Sequence, residues 1–347
     1  MRPRHGGIDL LKVICAQLIV LHHAIVYAPP GLHITQLWPH LSAFLMEPGR
    51  WVVHVFLVIG GYLSMLSLDR SRGRAWWDLA WQRYLRLMPM FTLAVAMTLL
   101  MGWWVRGHYA PDFVTPWPGW ADIWAHLTLT FDWLGVPAIS AGAWYVAIDF
   151  QLYVLLALVT LAFRQPKHEK SGRWRMAILV LAVPVATWVF SRLPALDAYA
   201  PYFLGSYGLG ALVALTQKRP RERVLLWGVM IVLALDLCLA WRDRQALALA
   251  TAAGLCLWDM WRIQWRMPEW VGRANDLSYA LFVAHFSLLI GLGAWWSSHG
   301  PDGTTAALIY LGVVAVLAWV WAWALQALCS GSGAWLARYL PARPRWA

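Results

Sequence analysis

The chain has 347 residues, of which 61% are hydrophobic and 13% charged, and its mean hydropathy is +0.54. That balance excludes an ordinary soluble domain and predicts an all-α, polytopic integral membrane helix bundle. A formal net charge of +11 would suggest nucleic acid in a soluble protein, but here the Lys and Arg fall in short connections between apolar runs. There they set topology and meet anionic lipid, so the expected partner is the bilayer and not nucleic acid.

The first apolar segment, residues 8–26, reads IDLLKVICAQLIVLHHAIV and is about as long as a bilayer core requires. It lacks a small-residue cleavage site and carries ionisable residues, which predicts a retained helix and not a signal peptide. Asp9 and Lys12 lie near its start, His22 and His23 near its end. Lys12 and His23 fall within about 20° of one helix face. They are separated by about 16 Å along the axis, half a hydrocarbon core. A cation at the membrane edge with an imidazole deep on the same stripe forms a candidate site. A snorkelling lysine and a histidine bonded to a neighbouring helix are the plainer alternative.

Apolar runs predict about ten spans, at about 9–28, 44–68, 87–106, 142–163, 175–191, 200–216, 224–241, 246–261, 278–297 and 304–328. No soluble tract is long enough for a second domain, so residues 1–347 are expected to form one membrane-embedded domain. The N-terminus (Arg2, Arg4, Lys12) and the second connection (Arg70, Arg72, Arg74, Arg83, Arg86) are basic. So are the fourth (Arg164, Lys167, Lys170, Arg173, Arg175) and the sixth (Lys218, Arg219, Arg221, Arg223). The eighth (Arg262, Arg266, Arg273) and the tail (Arg338, Arg343, Arg345) follow suit. Arg50, Arg106, Arg192, Arg242 and Arg244 fall on the other side, which predicts both termini in the cytoplasm.

The outer regions 29–43 and 107–141 are rich in Pro, Trp and His, and predict a helix lying over the outer mouth or tucked back into the bundle. The four cysteines share no metal-ligand spacing, and the 27 tryptophans cluster at segment ends as an aromatic belt does. There is no P-loop, GxSxG, CxxC or HExxH, so neither ATP hydrolysis, serine-hydrolase chemistry nor zinc is expected.

Four further motifs carry polar groups into apolar runs. In WQRYLRLMPMF, Arg83 and Arg86 are three apart and can share one target, for which a phosphate group and lipid headgroups both qualify. In GAWYVAIDFQLYVLL, Asp149 sits about two turns inside an apolar helix with Gln151 and Tyr153 close by. It can orient a histidine, bind a cation or form an interhelical ion pair. LSYALFVAHFSLLI contains Ser278, Tyr279 and His285, a histidine that suits either packing or a site. VFLVIGGYLS places Gly60 and Gly61 within a span, where close helix approach is the favoured reading.

Taken in order, these segments resemble the membrane-bound acyltransferase-3 family of bacteria. Its first helix carries an aspartate, then Arg or Lys, then ten residues and a His, as do Asp9, Lys12 and His23. VFLVIGGYL is similar to its FFVLSGFL, RYLRLMP to its RxxRxxP, GAWYVAIDFQLY to its LWYLxxExQFY, and LSYALFVAH to its SYxxYLxH. The chain departs in having Gly60 for serine, His54 for aspartate, Asp149 for glutamate and Lys12 for arginine.

The resemblance implies an inner-membrane enzyme that moves an acyl group, most commonly acetyl, from acyl-coenzyme A to a hydroxyl of a lipid-linked sugar or a surface or periplasmic glycan. His23 would be the general base or, alternatively, a covalent acyl carrier. Asp149 or Asp9 would assist it, and Lys12, Arg83 and Arg86 would bind the donor phosphates. Trp144, Tyr145, Tyr153 and His285 would contact substrate, with Trp117, Trp120 and Trp124 serving as outer platforms or as part of the belt. Acyl-coenzyme A is a co-substrate in this scheme and no metal is needed. A homo-oligomer and separate glycan-assembly partners are both compatible with it. A transporter or flippase would use the same intramembrane polar groups, but the internal repeats it often shows are not found. A non-catalytic scaffold would tolerate loss of Lys12 and His23.

Overall fold

The computed structural model describes residues 6–71, 74–108, 113–162, 170–217, 219–261, 267–301 and 303–337. Several basic residues on which the predicted orientation rests lie outside the described residues: Arg2, Arg4, Arg72, Arg164, Lys167, Lys218, Arg262, Arg266, Arg338, Arg343 and Arg345. The described residues are helical nearly throughout and contain no strand.

The first helix, α1 (Gly6–Val26), leads into three short helices, α2 (Pro29–Leu37), α3 (Pro39–Met46) and α4 (Pro48–Trp51). Each of the three starts on a proline, whose preset φ suits the first helical turn while its missing N–H stops the preceding helix. The first predicted outer region, 29–43, is thus α2 and the start of α3, and it is tucked back: α2 packs on α1, α13 and α14, burying Pro30, Gly31 and Ile34. Next come α5 (Val53–Arg70), α6 (Trp76–Val105), the short α7 (Trp120–Leu127), α8 (Ala143–Ala162) and α9 (Lys170–Trp188). The chain closes with α10 (Ala200–Gln217), α11 (Arg223–Leu239), α12 (Asp243–Trp261), α13 (Glu269–His299) and α14 (Thr304–Ala337).

Among the described residues, seven stretches are long and apolar enough to cross a membrane. They are α1, the run Pro39–Arg70, α6, α8, Trp174–Arg192, α13 and Thr304–Ser330 within α14. Helices α10, α11 and α12, shorter or less apolar, fall at the remaining three positions where spans are predicted. Helix α6 begins eleven residues before the predicted span and runs through Pro89, so Arg83 and Arg86 sit within a continuous helix instead of at its mouth.

Helices α5 and α10 pack along each other, and α13, the most enclosed of the long helices, lies among α1, α6 and α14. In a bilayer such packing rests on backbone approach and van der Waals contact, because lipid is as apolar as leucine. The α5–α10 crossing needs glycine on both sides. A Cβ on Gly61 would overlap the Tyr207 carbonyl, and one on Gly210 the Val58 carbonyl. The favoured reading of the double glycine thus holds for Gly61, whereas Gly60 opens towards Asp149.

Candidate active site

The two ends of the bundle carry different cavities. At the end where α1 starts, a cavity of about 900 Å³ is lined by Lys12, Arg70, Arg74, Arg83, Arg86 and Asp149 together with Gly60, Tyr145, Tyr153, Ser278 and Tyr279. Five cations face one acid, a surplus suited to phosphate groups. At the opposite end, a cavity of about 380 Å³ is lined by His22, His23, Tyr27, Arg50 and Trp144. Phe282 borders both. Its ring lies 5.0 Å from Tyr145 and 6.1 Å from Phe56, which closes a triangle of aromatic edges between the two spaces.

His23 and His285 meet across α1 and α13. The rings lie edge to edge, with centroids 4.9 Å apart and planes 7° from parallel, and His23 Nδ1 lies 2.7 Å from His285 Nε2. His285 Nδ1 lies 3.1 Å from the Leu281 carbonyl, which can only accept. With neutral rings this network assigns the tautomers. His285 Nδ1–H donates to Leu281, so its Nε2 is an acceptor, and His23 Nδ1–H donates to it. The one ring nitrogen of His23 left with a lone pair is Nε2. Next to it, His22 Nδ1–H donates to the Leu45 carbonyl at 2.9 Å, which ties α1 to α3. His285 is fully buried and lines neither cavity; it reaches them through its contact with His23.

Asp149 is not beside His23. Its carboxylate forms an ion pair with Arg83, and the guanidinium also stands 5.2 Å over the Tyr153 ring. Of the roles considered from sequence, this is the interhelical ion pair, here between α6 and α8. Asp9 is fourteen residues from His23 on one straight helix, about 21 Å along the axis, too far for contact. The side chain hydrogen-bonded to His23 Nδ1 is a second histidine, His285.

Trp144 and Tyr145, adjacent in sequence, separate: Trp144 faces the His23 cavity and Tyr145 the cationic one, where Tyr153 joins it. Trp117, Trp120 and Trp124 are exposed and line none of these cavities. Beyond Trp144 a further space of about 210 Å³ is lined by Arg50, His54, Asp132, Asp197 and Arg244. It adjoins another of about 330 Å³ that shares His54 and Arg244. His54 Nδ1 lies 2.8 Å from Ser206 Oγ, and Arg244 donates to Tyr202 Oη at 3.1 Å. In the wall of the second space Arg242 donates to Ser191 Oγ at 2.9 Å, and behind it Asp236 binds both Arg192 and Arg242. Sequence reasoning passed over Asp236, although an isolated acid in an apolar run is the same signal that singled out Asp149. It also passed over Asp132 and Arg244, which lie between predicted spans, where charge is unremarkable.

The outer connection is held by His126 in α7. Its Nδ1–H donates to the Asp122 carbonyl at 2.7 Å, and its Nε2 accepts from the Ile139 amide at 3.0 Å. Burial lowers its pKa below the ordinary value and suits this neutral form.

A multi-pass helical membrane protein with a buried, hydrogen-bonded imidazole beside a smaller cavity and a cationic cavity at the other end of the same helix is the class that fold and site define. The chain belongs to the acyltransferase-3 family: the model of that family, an acyltransferase domain, matches residues 5–325. It is accordingly a membrane acyltransferase. No curated protein and no solved structure matches it.

Proposed function

We propose that this protein transfers an acyl group, acetyl in our reading, from acyl-coenzyme A to a carbohydrate hydroxyl, with His23 as general base. The observation that carries this reading is the Leu281–His285–His23 relay, which leaves Nε2 of a neutral His23 unprotonated in a residue that lines the smaller cavity. A sugar hydroxyl is a poor nucleophile at neutral pH and needs such a base. The hydroxyl proton passes to Nε2 as the oxygen attacks the thioester carbonyl. The tetrahedral intermediate then expels the coenzyme A thiolate, which recovers the proton from the imidazolium. The reaction leaves an ester and a free thiol.

The donor's phosphates bind at Lys12, Arg83 and Arg86, supported by Arg70 and Arg74 in the same cavity. About 16 Å of helix separates Lys12 from His23, a distance that an extended pantetheine arm spans. The acyl end passes Phe282 to reach the base. Burial of Asp149 against Arg83 holds that guanidinium at the cavity wall, so the carboxylate acts in donor binding and not on His23.

In our reading the bundle crosses the bacterial inner membrane ten times with both termini cytoplasmic, so the cationic cavity faces the cytoplasmic donor and the His23 cavity the acceptor. Support comes from the grouping of Lys12, Arg70, Arg74, Arg83 and Arg86 at one end and of Arg50, Arg242 and Arg244 at the other. The test is transfer of labelled acetyl from acetyl-coenzyme A into membrane glycans by wild type and by His23→Ala at matched expression. Labelling that requires His23 supports the reading. Equal labelling by both proteins would remove His23 as the base.

A further inference from the structure

The space beyond Trp144 is built unlike a lipid pocket and unlike an anion site. It shares Arg50, Val53 and Trp144 with the His23 cavity, so the two are neighbours across those side chains. Within it Asp132 and Asp197 face Arg50 and Arg244, and the rings of Trp144 and Phe203 lie 5.6 Å apart to form an aromatic wall. Mixed acids and arginines offset one another against a net anion, and a lipid tail would offer these charged groups no hydrogen bonds. A sugar residue suits the set. Its hydroxyls donate to carboxylates and accept from guanidiniums, while its C–H face covers an aromatic ring.

Asp132 adds a second observation. Its Oδ2 is buried with no hydrogen-bond partner, and burial raises the carboxyl to about 7. For folding alone that is a liability, because a buried oxygen without a partner costs about 1–3 kcal/mol. A ligand hydroxyl reaching Oδ2 would remove the deficit.

The geometry points to a second sugar-binding subsite, formed by Asp132, Arg50, Arg244 and Trp144 beside the His23 cavity, so that the acceptor is an oligosaccharide of at least two residues. This deepens the carbohydrate reading of the preceding section and rests on it. The residue carrying the reactive hydroxyl sits at His23, and its neighbour in the chain sits against Asp132. The polar lining continues past His54 and Arg244 into the adjoining space, which would take a third residue.

The experiment uses the full chain in lipid nanodiscs, acetyl-coenzyme A, and glycan fragments released from membranes of the native cell and separated into mono-, di- and trisaccharides. Acetyl transfer and fragment retention, the latter by mass spectrometry, are measured for wild type, Asp132→Asn and Arg244→Gln. Their gel-filtration profiles and melting curves report whether each variant folds, and Arg244→Lys serves as the charge-conserving control. The expected result is a KM about tenfold or more lower for disaccharide than for monosaccharide. Both neutralising variants should erase that advantage while the KM values for monosaccharide and acetyl-coenzyme A stay within about twofold, and Arg244→Lys should restore part of it. Equal KM values for mono- and disaccharide, or folded variants that keep the advantage, would overturn the subsite. Disaccharide retained by wild type and lost from Asp132→Asn, but never acetylated, would keep the subsite and overturn the transfer reaction. A folded wild type that retains no fragment would overturn the subsite.

Discussion

His23 and His285, 262 positions apart in the chain, meet edge to edge in nearly parallel planes with 2.7 Å between Nδ1 and Nε2. The pair fixes which nitrogen of His23 can act, because His285 spends its own Nδ1–H on the Leu281 carbonyl. His285 is thus a positioning residue. His285→Leu should lower kcat for acyl transfer about 10–100-fold, less than the roughly 10²–10⁴-fold loss expected for His23→Ala. KM for acyl-coenzyme A should stay unchanged. His285→Gln, whose amide oxygen can accept from His23 Nδ1–H, should recover part of the loss. Equal kcat in the Leu and Gln variants would deny the hydrogen bond its role.

Arg83 and Asp149 form a largely buried ion pair, with side-chain exposures of 18% and 7%. Removing one partner leaves the other charge without compensation, so either Arg83→Ala or Asp149→Ala should cost about 3–5 kcal/mol of stability. The double substitution should cost much less than the sum of the two. Unfolding curves in detergent, run as a double-mutant cycle, measure this coupling directly. Additive losses would mean that the pair is incidental.

Lys12 and Arg86 line the cationic cavity. Lys12→Gln and Arg86→Gln should each raise KM for acetyl-coenzyme A about tenfold, the loss expected for one charge-assisted hydrogen bond, with kcat nearly unchanged. The penalty should shrink as ionic strength rises, since salt screens the wild-type attraction. Initial-rate kinetics at low and high salt check both statements.

Phe282 stands where the two cavities meet, against Tyr145 and Phe56. Shortening it opens a path for water between the thioester and the outer space. Phe282→Ala should therefore raise the ratio of free coenzyme A released to acyl ester formed. Comparing thiol release with ester yield in one reaction gives that ratio, and an unchanged value would mean that Phe282 does not partition the site.

Asp132 has a pH signature of its own. Its carboxyl is raised by burial from 3.8 to about 7, so between those values the folded protein holds a proton that the unfolded chain has lost. The contribution of Asp132 to stability is therefore greatest below pH 3.8 and falls as pH rises to about 7. Asp132→Asn removes this dependence, and its melting temperature should exceed that of wild type at pH 8 by more than at pH 5. Parallel melting curves across that range test the sign.

Composition and hydropathy alone determined that this is a helical membrane protein, because a segment of spanning length must satisfy its backbone internally. Ionisable residues inside apolar runs marked Lys12, His23, Asp149 and His285, since such groups are rare at that depth unless a partner holds them. Helical periodicity put Lys12 and His23 on one stripe, and the order of five motifs pointed to the family that the chain joins. Periodicity assigns a residue to a face of its own helix, however, and says nothing of which helix covers that face. Only the tertiary structure gave Asp149 to Arg83, His285 to His23, and Trp144 and Tyr145 to opposite cavities. It also drew Asp132 from a connection and Arg244 from the first turn of α12 into one wall. These pairings depend on where whole helices cross, and the crossings are decided by close backbone contacts such as Gly61 on Tyr207, which no local pattern encodes.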